Sequence, residues 1–185
     1  LHLPGRHSAT NALAAVAVAH ELEIPFRHIA EALDAFTGIH RRFEVKGEPG
    51  GVLVIDDYGH HPTEIRATIG AIRDCWKRPL TVIFQPHRFT RTKDLFDEFL
   101  TAFEGADRLV LTEIYGAGED PIPGATGDAL YQAIKRKGHL DVEFIPDKSD
   151  IVARLASELA SGDVALTLGA GDIYKIGEEL VDALK

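Results

Sequence analysis

Residues 52–76 read VLVIDDYGHHPTEIRATIGAIRDCW. Val52–Ile55 is an uninterrupted apolar run, the pattern of a strand covered on both faces. A polar loop follows, and Pro62 stands where the first turn of a helix accepts it. Ile65, Ile69, Ile72 and Trp76 then recur on one face of that helix. The same rhythm continues downstream. Leu80–Phe84 predicts a strand, and Leu95, Phe96, Phe99, Leu100 and Phe103 mark its helix. Further strands are expected at Arg108–Thr112, Val142–Ile145 and Asp163–Leu168. Each precedes an apolar-periodic stretch, around Leu130–Ile134, Ile151–Leu159 and Ile173–Leu184. Alternating strands and helices imply an α/β fold with a mostly parallel, Rossmann-like sheet and helices on both faces. At its start, Phe43–Glu48 and Val52–Asp56 flank the turn signal PGG, which predicts an N-terminal antiparallel hairpin.

The first forty residues have a different character. Ala12–Ala19 is apolar nearly all round and reads as a buried helix ending before Pro25. A second helix carries Phe26, Ile29, Ala30, Leu33 and Phe36 at amphipathic spacing, with Gly38 placed as a C-cap glycine. Two helices without a strand cannot form a domain alone. They read as the remnant of a preceding domain, joined through GIHRR (Gly38–Arg42) to the rest.

Composition narrows the function. With 185 residues, 45% apolar and 26% charged, the chain is an ordinary globular one. Its longest all-apolar run, eight residues, is far short of the ~20 that cross a bilayer, so membrane insertion is not expected. No secretory leader is evident, which points to the cytoplasm. Twenty Lys and Arg against twenty-nine Asp and Glu leave a net charge of −9, which disfavours nucleic-acid binding. Cys75 falls within a helical pattern and reads as a reduced packing residue. Methionine is absent, which reads as a piece cut from a longer protein.

In open parallel sheets ligands bind beyond the carboxyl ends of the strands, and the unusual residues gather there. The four loops are DDYGHHPTE (Asp56–Glu64), QPHRFTRTKD (Gln85–Asp94), EIYGAGEDPIPG (Glu113–Gly124) and GAGDIYKIG (Gly169–Gly177). Arg88 and Arg91, three apart, would share a helical face and could grip a carboxylate or phosphate. The alternative is that both are solvated or paired with Asp94 and Asp97. Asp56 and Asp57 alternate sides, so one is expected to face the crevice, where a carboxylate can accept both hydroxyls of a ribose. His61 is expected to cap the helix at Pro62 and His60 to belong to the site. A metal site is not expected, because adjacent histidines diverge and no ligand-spaced set accompanies them. GAGD fits an anion site or a simple tight turn equally well. Neither a G-x-G-x-x-G fingerprint nor a G-x-x-x-x-G-K-[ST] phosphate loop occurs. With no nucleophile elbow, positioning and electrostatics are expected rather than a covalent enzyme intermediate.

PGRHSATNALAA (Pro4–Ala15), HRRFE (His40–Glu44), DDYGHHPTE, QPHRFTRT and LTLGAGDIYKIG (Leu166–Gly177), in this order, resemble the Mur ligases of peptidoglycan synthesis. QPHRFTR joined with YGHHPTE is most similar to the member that joins L-alanine to UDP-N-acetylmuramate. The member that recycles murein tripeptide is expected to share the two histidines but not the arginine pair. The resemblance implies that residues 1–40 close a central ATP-binding domain with its linker, and that residues 41–185 form the C-terminal, amino-acid-binding domain. ATP and magnesium are the implied cofactors, with the phosphate loop and the magnesium ligands upstream, so the chain alone is expected to be inactive. By position, Asn11 matches an adenine contact, and Ser8 stands where a first asparagine would be. Arg42 matches an arginine near the ATP phosphates and Asp57 the residue on the ribose. Tyr58 and His60 match positions around the nucleotide and the amino acid; His87, Arg88 and Arg91 match the group at the alanine carboxylate. Of these, His60 and Arg42 are the expected catalytic residues. The implied chemistry is phosphorylation of the muramate carboxylate by ATP and attack of the alanine amine on the acyl phosphate. Two other classes compete: a non-catalytic nucleotide- or sugar-phosphate-binding domain, and a ribokinase-type kinase using the GAGD aspartate as base.

Overall fold

The computed structural model describes residues 1–138 and 141–185. Two helices, α1 (Arg6–Glu21) and α2 (Phe26–Ala35), precede an α/β unit. Its strands are β1 (Glu44–Gly47), β2 (Leu53–Asp57), β3 (Leu80–Phe84), β4 (Arg108–Leu111), β5 (Val142–Phe144) and β6 (Val164–Leu168). Its helices are α3 (Pro62–Cys75), α4 (Phe89–Asp94), α5 (Phe96–Phe99), α6 (Gly127–Lys137), α7 (Ser149–Ala156) and α8 (Tyr174–Ala183). The sheet order is β1-β2-β6-β3-β4-β5, antiparallel only at the β1–β2 hairpin. The expected hairpin therefore forms, turning through a short 3₁₀ segment at Pro49–Gly51.

Strand alternation divides the core into two layers. Leu53, Ile55, Val82, Phe84, Leu109, Leu111, Leu166 and Leu168 pack on one face against Ile65, Ile69 and Ile72 of α3, Phe99, Phe103, and Leu130 and Ile134 of α6. Val52, Val54, Ile83, Val110 and Ala165 pack on the other against Ile151 and Leu155 of α7 and Ile173, Ile176 and Leu180. β2, β3 and β6 are buried along their whole length, which explains why they read as continuous apolar runs. Strand β6 enters last and inserts between β2 and β3, so Asp57, Leu168 and Phe84 end in register. Three loops thereby open side by side at one edge.

Four sequence expectations need correction. α1 is not buried: it has no buried residue, and Leu13 is 67% exposed. Nothing in the described chain covers its outer faces, and Phe26 of α2 is 72% exposed. Gly38 is not a C-cap, because α2 stops at Ala35 with Phe36 already extended; Gly38 turns the linker at φ +112°. The helix expected through Phe103 is two short helices, α4 and α5, meeting at Leu95. Cys75 is exposed at the last residue of α3.

Candidate active site

The linker makes the first part of the site. Arg41 has φ +60° and Phe43 φ +49°, left-handed values that cost an L residue roughly 1–2 kcal/mol each. The contacts they make offset this strain. The Arg41 guanidinium donates to Asp56 Oδ2 (3.1 Å), Gly171 O (3.0 Å) and Gly169 O (2.6 Å), and lies against the rings of Tyr58 and Tyr174. The amide of Phe43 donates to Asp57 Oδ2 at 2.9 Å, and its ring stacks on Trp76. The GAGD loop thus presents carbonyls to a cation, the opposite polarity from a phosphate loop. Sequence reading passed over Arg41; its neighbour Arg42 carried the attention.

Asp56 and Asp57 diverge as expected, but both are buried. Asp56 is held by Arg41 and by the Thr167 hydroxyl at 2.7 Å. Asp57 accepts from Gly59 N (2.7 Å) and Phe43 N, one bond per oxygen, and it lines a cavity. Burial raises the pKa of both against the opposing pull of these hydrogen bonds. A carboxylate has about four lone-pair sites, so Asp57 keeps acceptor capacity toward the cavity.

That cavity, about 810 Å³, lies between α1, α2 and α3, within the ~300–1,000 Å³ usual for small-molecule sites. Its walls bring together Ser8, Asn11, Arg42 and Asp57, the positions that the resemblance assigns to ATP; Tyr58 and His60, also expected near the nucleotide, are not among its lining residues. His7, Thr63 and Glu64 also line it. The Ser8 hydroxyl donates to Pro4 O at 2.7 Å, so its single hydrogen is spent and it meets the cavity as an acceptor. Arg42, half exposed, lies 3.6 Å from Glu64 and over the Tyr58 ring.

From this cavity a row of rings leads along the strand ends. Tyr58 meets His60 edge-on at 5.6 Å, His60 lies 5.8 Å from His87, and His87 stacks on Tyr115 at 5.6 Å. His61 accepts from Thr63 N and so caps α3, while Glu64 accepts from His61 N and makes the cap reciprocal. Glu64 also accepts from His60 N at 3.0 Å, which positions His60 as well as α3. Arg91 donates through Nη1 to His87 Nδ1 (3.1 Å) and His87 O (3.0 Å).

Arg88 departs from the expected helical pair. It is the N-cap of α4 at φ +73°, half exposed, with Glu119 Oε1 at 3.8 Å. Pairing with Asp94 or Asp97 does not occur among the described residues. Glu119, which the sequence did not single out, accepts from Thr90 N (3.0 Å) and the Thr90 hydroxyl (2.7 Å), pinning the 113–124 loop to α4. Asp172 accepts from Lys148 and, at 3.2 Å, from Gln85 Nε2. Gly171 packs so closely on Gln85 and Tyr115 that an added Cβ would lie 2.4 Å from Gln85 Oε1. Among the described residues no group of three His, Cys, Asp or Glu is placed to hold a metal ion.

The two histidines titrate low. Burial lowers His60, aided by Arg91 and Arg42, against the Tyr58 carbonyl and Glu64, which raise it. Burial, then His60 and the arginines, lower His87 from 6.5 to about 4. Below pH ~6.5 the unfolded chain therefore takes up a proton that the folded chain refuses until about pH 4. His87 costs no stability above the upper value, and the loss grows as pH falls through this window. Denaturation midpoints measured from pH 7 to pH 4 should fall less steeply for His87→Gln than for the parent. Identical slopes would exclude this origin.

Residues 41–171 match the family described as Mur ligase, glutamate ligase domain. The chain is 52% identical over its whole length to the UDP-N-acetylmuramate–L-alanine ligase of Geotalea daltonii, and 50% identical to that of Myxococcus xanthus. It spans about 40% of the first of these and 39% of the second. Among solved structures, the UDP-N-acetylmuramate–alanine ligase of Thermotoga maritima superposes with a TM-score of 0.82 at 30% identity, covering 98% of this chain and 38% of that one. A murein peptide ligase of Psychrobacter arcticus gives 0.68 at 26%, covering 98% and 38%. The chain belongs to the Mur ligase family.

Proposed function

We propose that this chain is the C-terminal part of an ATP-dependent ligase that joins L-alanine to UDP-N-acetylmuramate through an acyl phosphate, in the cytoplasm. The observation that carries this reading is that the nucleotide-sized cavity, lined by Asn11, Arg42 and Asp57, adjoins the row His60–His87–Arg91 through Glu64, which lines the cavity and accepts from His60 N. A site of that form can hold a nucleotide and a small zwitterion side by side. Residues 1–40 belong to the central domain on this reading, and the exposed apolar faces of α1 and α2 are covered by the rest of the longer protein. Residues 41–185 bind the amino acid.

The residues divide the work by chemistry. Asn11 and the Ser8 oxygen face the adenine, Asp57 the ribose hydroxyls and Arg42 the phosphates. Magnesium bound with ATP would supply neutralisation of the phosphate charge. Arg88 and Arg91 hold the alanine carboxylate, with Tyr58 and His87 forming the wall, which directs the amine toward the acyl carbon, a positional effect. Closure about the Arg41 linker would exclude water from the acyl phosphate. The test is phosphate release by the full-length protein given ATP and UDP-N-acetylmuramate, with alanine, glycine, serine or murein tripeptide as acceptor. Turnover with alanine is expected. Turnover only with the tripeptide would assign the recycling reaction instead.

A further inference from the structure

We propose that His60 takes the proton from the attacking α-ammonium at Nε2, while His87 faces the same substrate as a hydrogen-bond donor through Nε2–H. The assignment deepens the ligase reading above and rests on it, but it comes from hydrogen-bond polarity. His60 Nδ1 lies 3.1 Å from the Tyr58 carbonyl and 3.7 Å from Glu64 Oε2. Both oxygens only accept, so the hydrogen of the neutral ring sits on Nδ1 and the lone pair on Nε2. His87 Nδ1 lies 3.1 Å from Arg91 Nη1. A guanidinium only donates, so here the lone pair is on Nδ1 and the hydrogen on Nε2.

Two rings 5.8 Å apart thus offer opposite polarity to whatever lies beside them. An ammonium needs an acceptor, which His60 supplies and His87 does not. A carboxylate or a developing oxyanion needs a donor, which His87 supplies beside Arg91. Both tautomers are set by groups outside the pair, namely the backbone at Tyr58, Glu64 on α3 and Arg91 on α4. The groups facing His60 are Tyr58, Glu64, Arg42 of the linker, Arg91 and His87. Burial and the nearby cations lower its pKa against the opposing pull of the Tyr58 carbonyl and Glu64.

The proton balance closes. One N–H bond of the ammonium breaks, its proton moves to His60 Nε2, and the electron pair stays on nitrogen. That pair forms the C–N bond at the acyl carbon. The C–O bond to phosphate then breaks, and the departing phosphate carries off the second amine proton. His60 returns its proton to water.

Two measurements decide the assignment. ¹⁵N-detected imidazole spectra of this chain at neutral pH should show the Nδ1–H tautomer for His60 and Nε2–H for His87; the reverse pair would overturn the proposal. In the full-length protein, His60→Asn keeps an N–H near the Nδ1 position for the Tyr58 carbonyl but has no base. General bases contribute about 10²–10⁴-fold. Turnover with alanine should therefore fall about 100-fold relative to turnover with hydroxylamine, an acceptor already unprotonated at neutral pH. An equal loss with both acceptors would refute a proton-accepting role. If the parent protein turns over neither acceptor with ATP and UDP-N-acetylmuramate, the ligase reading fails and the proposal falls with it.

Discussion

Replacing Arg41 with alanine should lower the unfolding free energy of the chain by about 3–5 kcal/mol, the usual cost of removing one partner of a buried ion pair. The Arg41 side chain is 12% exposed and that of Asp56 0%. Without the guanidinium, Asp56 keeps the Thr167 hydroxyl as its side-chain partner, and burial already raises its pKa. The carbonyls of Gly169 and Gly171 lose their donor at the same time. A lysine cannot substitute, because one ammonium cannot span three acceptors in a fixed fork. Urea denaturation of the parent, Arg41→Ala and Arg41→Ala/Asp56→Asn measures the effect. Neutralising Asp56 should recover part of the loss, since an uncompensated charge is then no longer buried. A shift below about 1 kcal/mol, the scale of a surface pair, would mean that the linker is not locked to the sheet.

The second large effect is on substrate. Arg91→Lys in the full-length ligase is expected to raise the KM for alanine roughly 10- to 100-fold, the equivalent of one charge-assisted hydrogen bond at ~1.5–3 kcal/mol. Arg91 Nη1 is committed to His87, so Nε and Nη2 are left for a carboxylate. A lysine has one nitrogen and must choose between the histidine and the substrate. Arg88→Lys should do less, because Arg88 is half exposed and faces Glu119. Because the carboxylate is held in ground and transition states alike, KM should move more than kcat. Steady-state kinetics with alanine varied at saturating ATP would show this. An unchanged alanine KM in both variants would remove the clamp from the mechanism.

Several site features were legible in local sequence. The reciprocal cap of His61 and Glu64 needs only residues within one helical turn, and Pro62 marks that turn. The blocks around Asp57, His60 and His87 sit directly after apolar runs, so strand recognition alone places them at one sheet edge. Other features depend on partners far along the chain. Arg41 bonds to carbonyls at positions 169 and 171, and Glu119 reaches back to Thr90. No periodicity encodes such pairs.

Apolar run lengths, turn residues and the order of the loops were enough to specify a parallel α/β domain with its chemistry at the carboxyl ends, because those properties follow from local backbone preferences and from burial. The insertion of β6 between β2 and β3 was decided by packing of the whole sheet. So were the left-handed linker at Arg41 and the exposure of α1. Each of these depends on which distant atom fills a hydrogen bond or covers a surface, and chain neighbours do not carry that information.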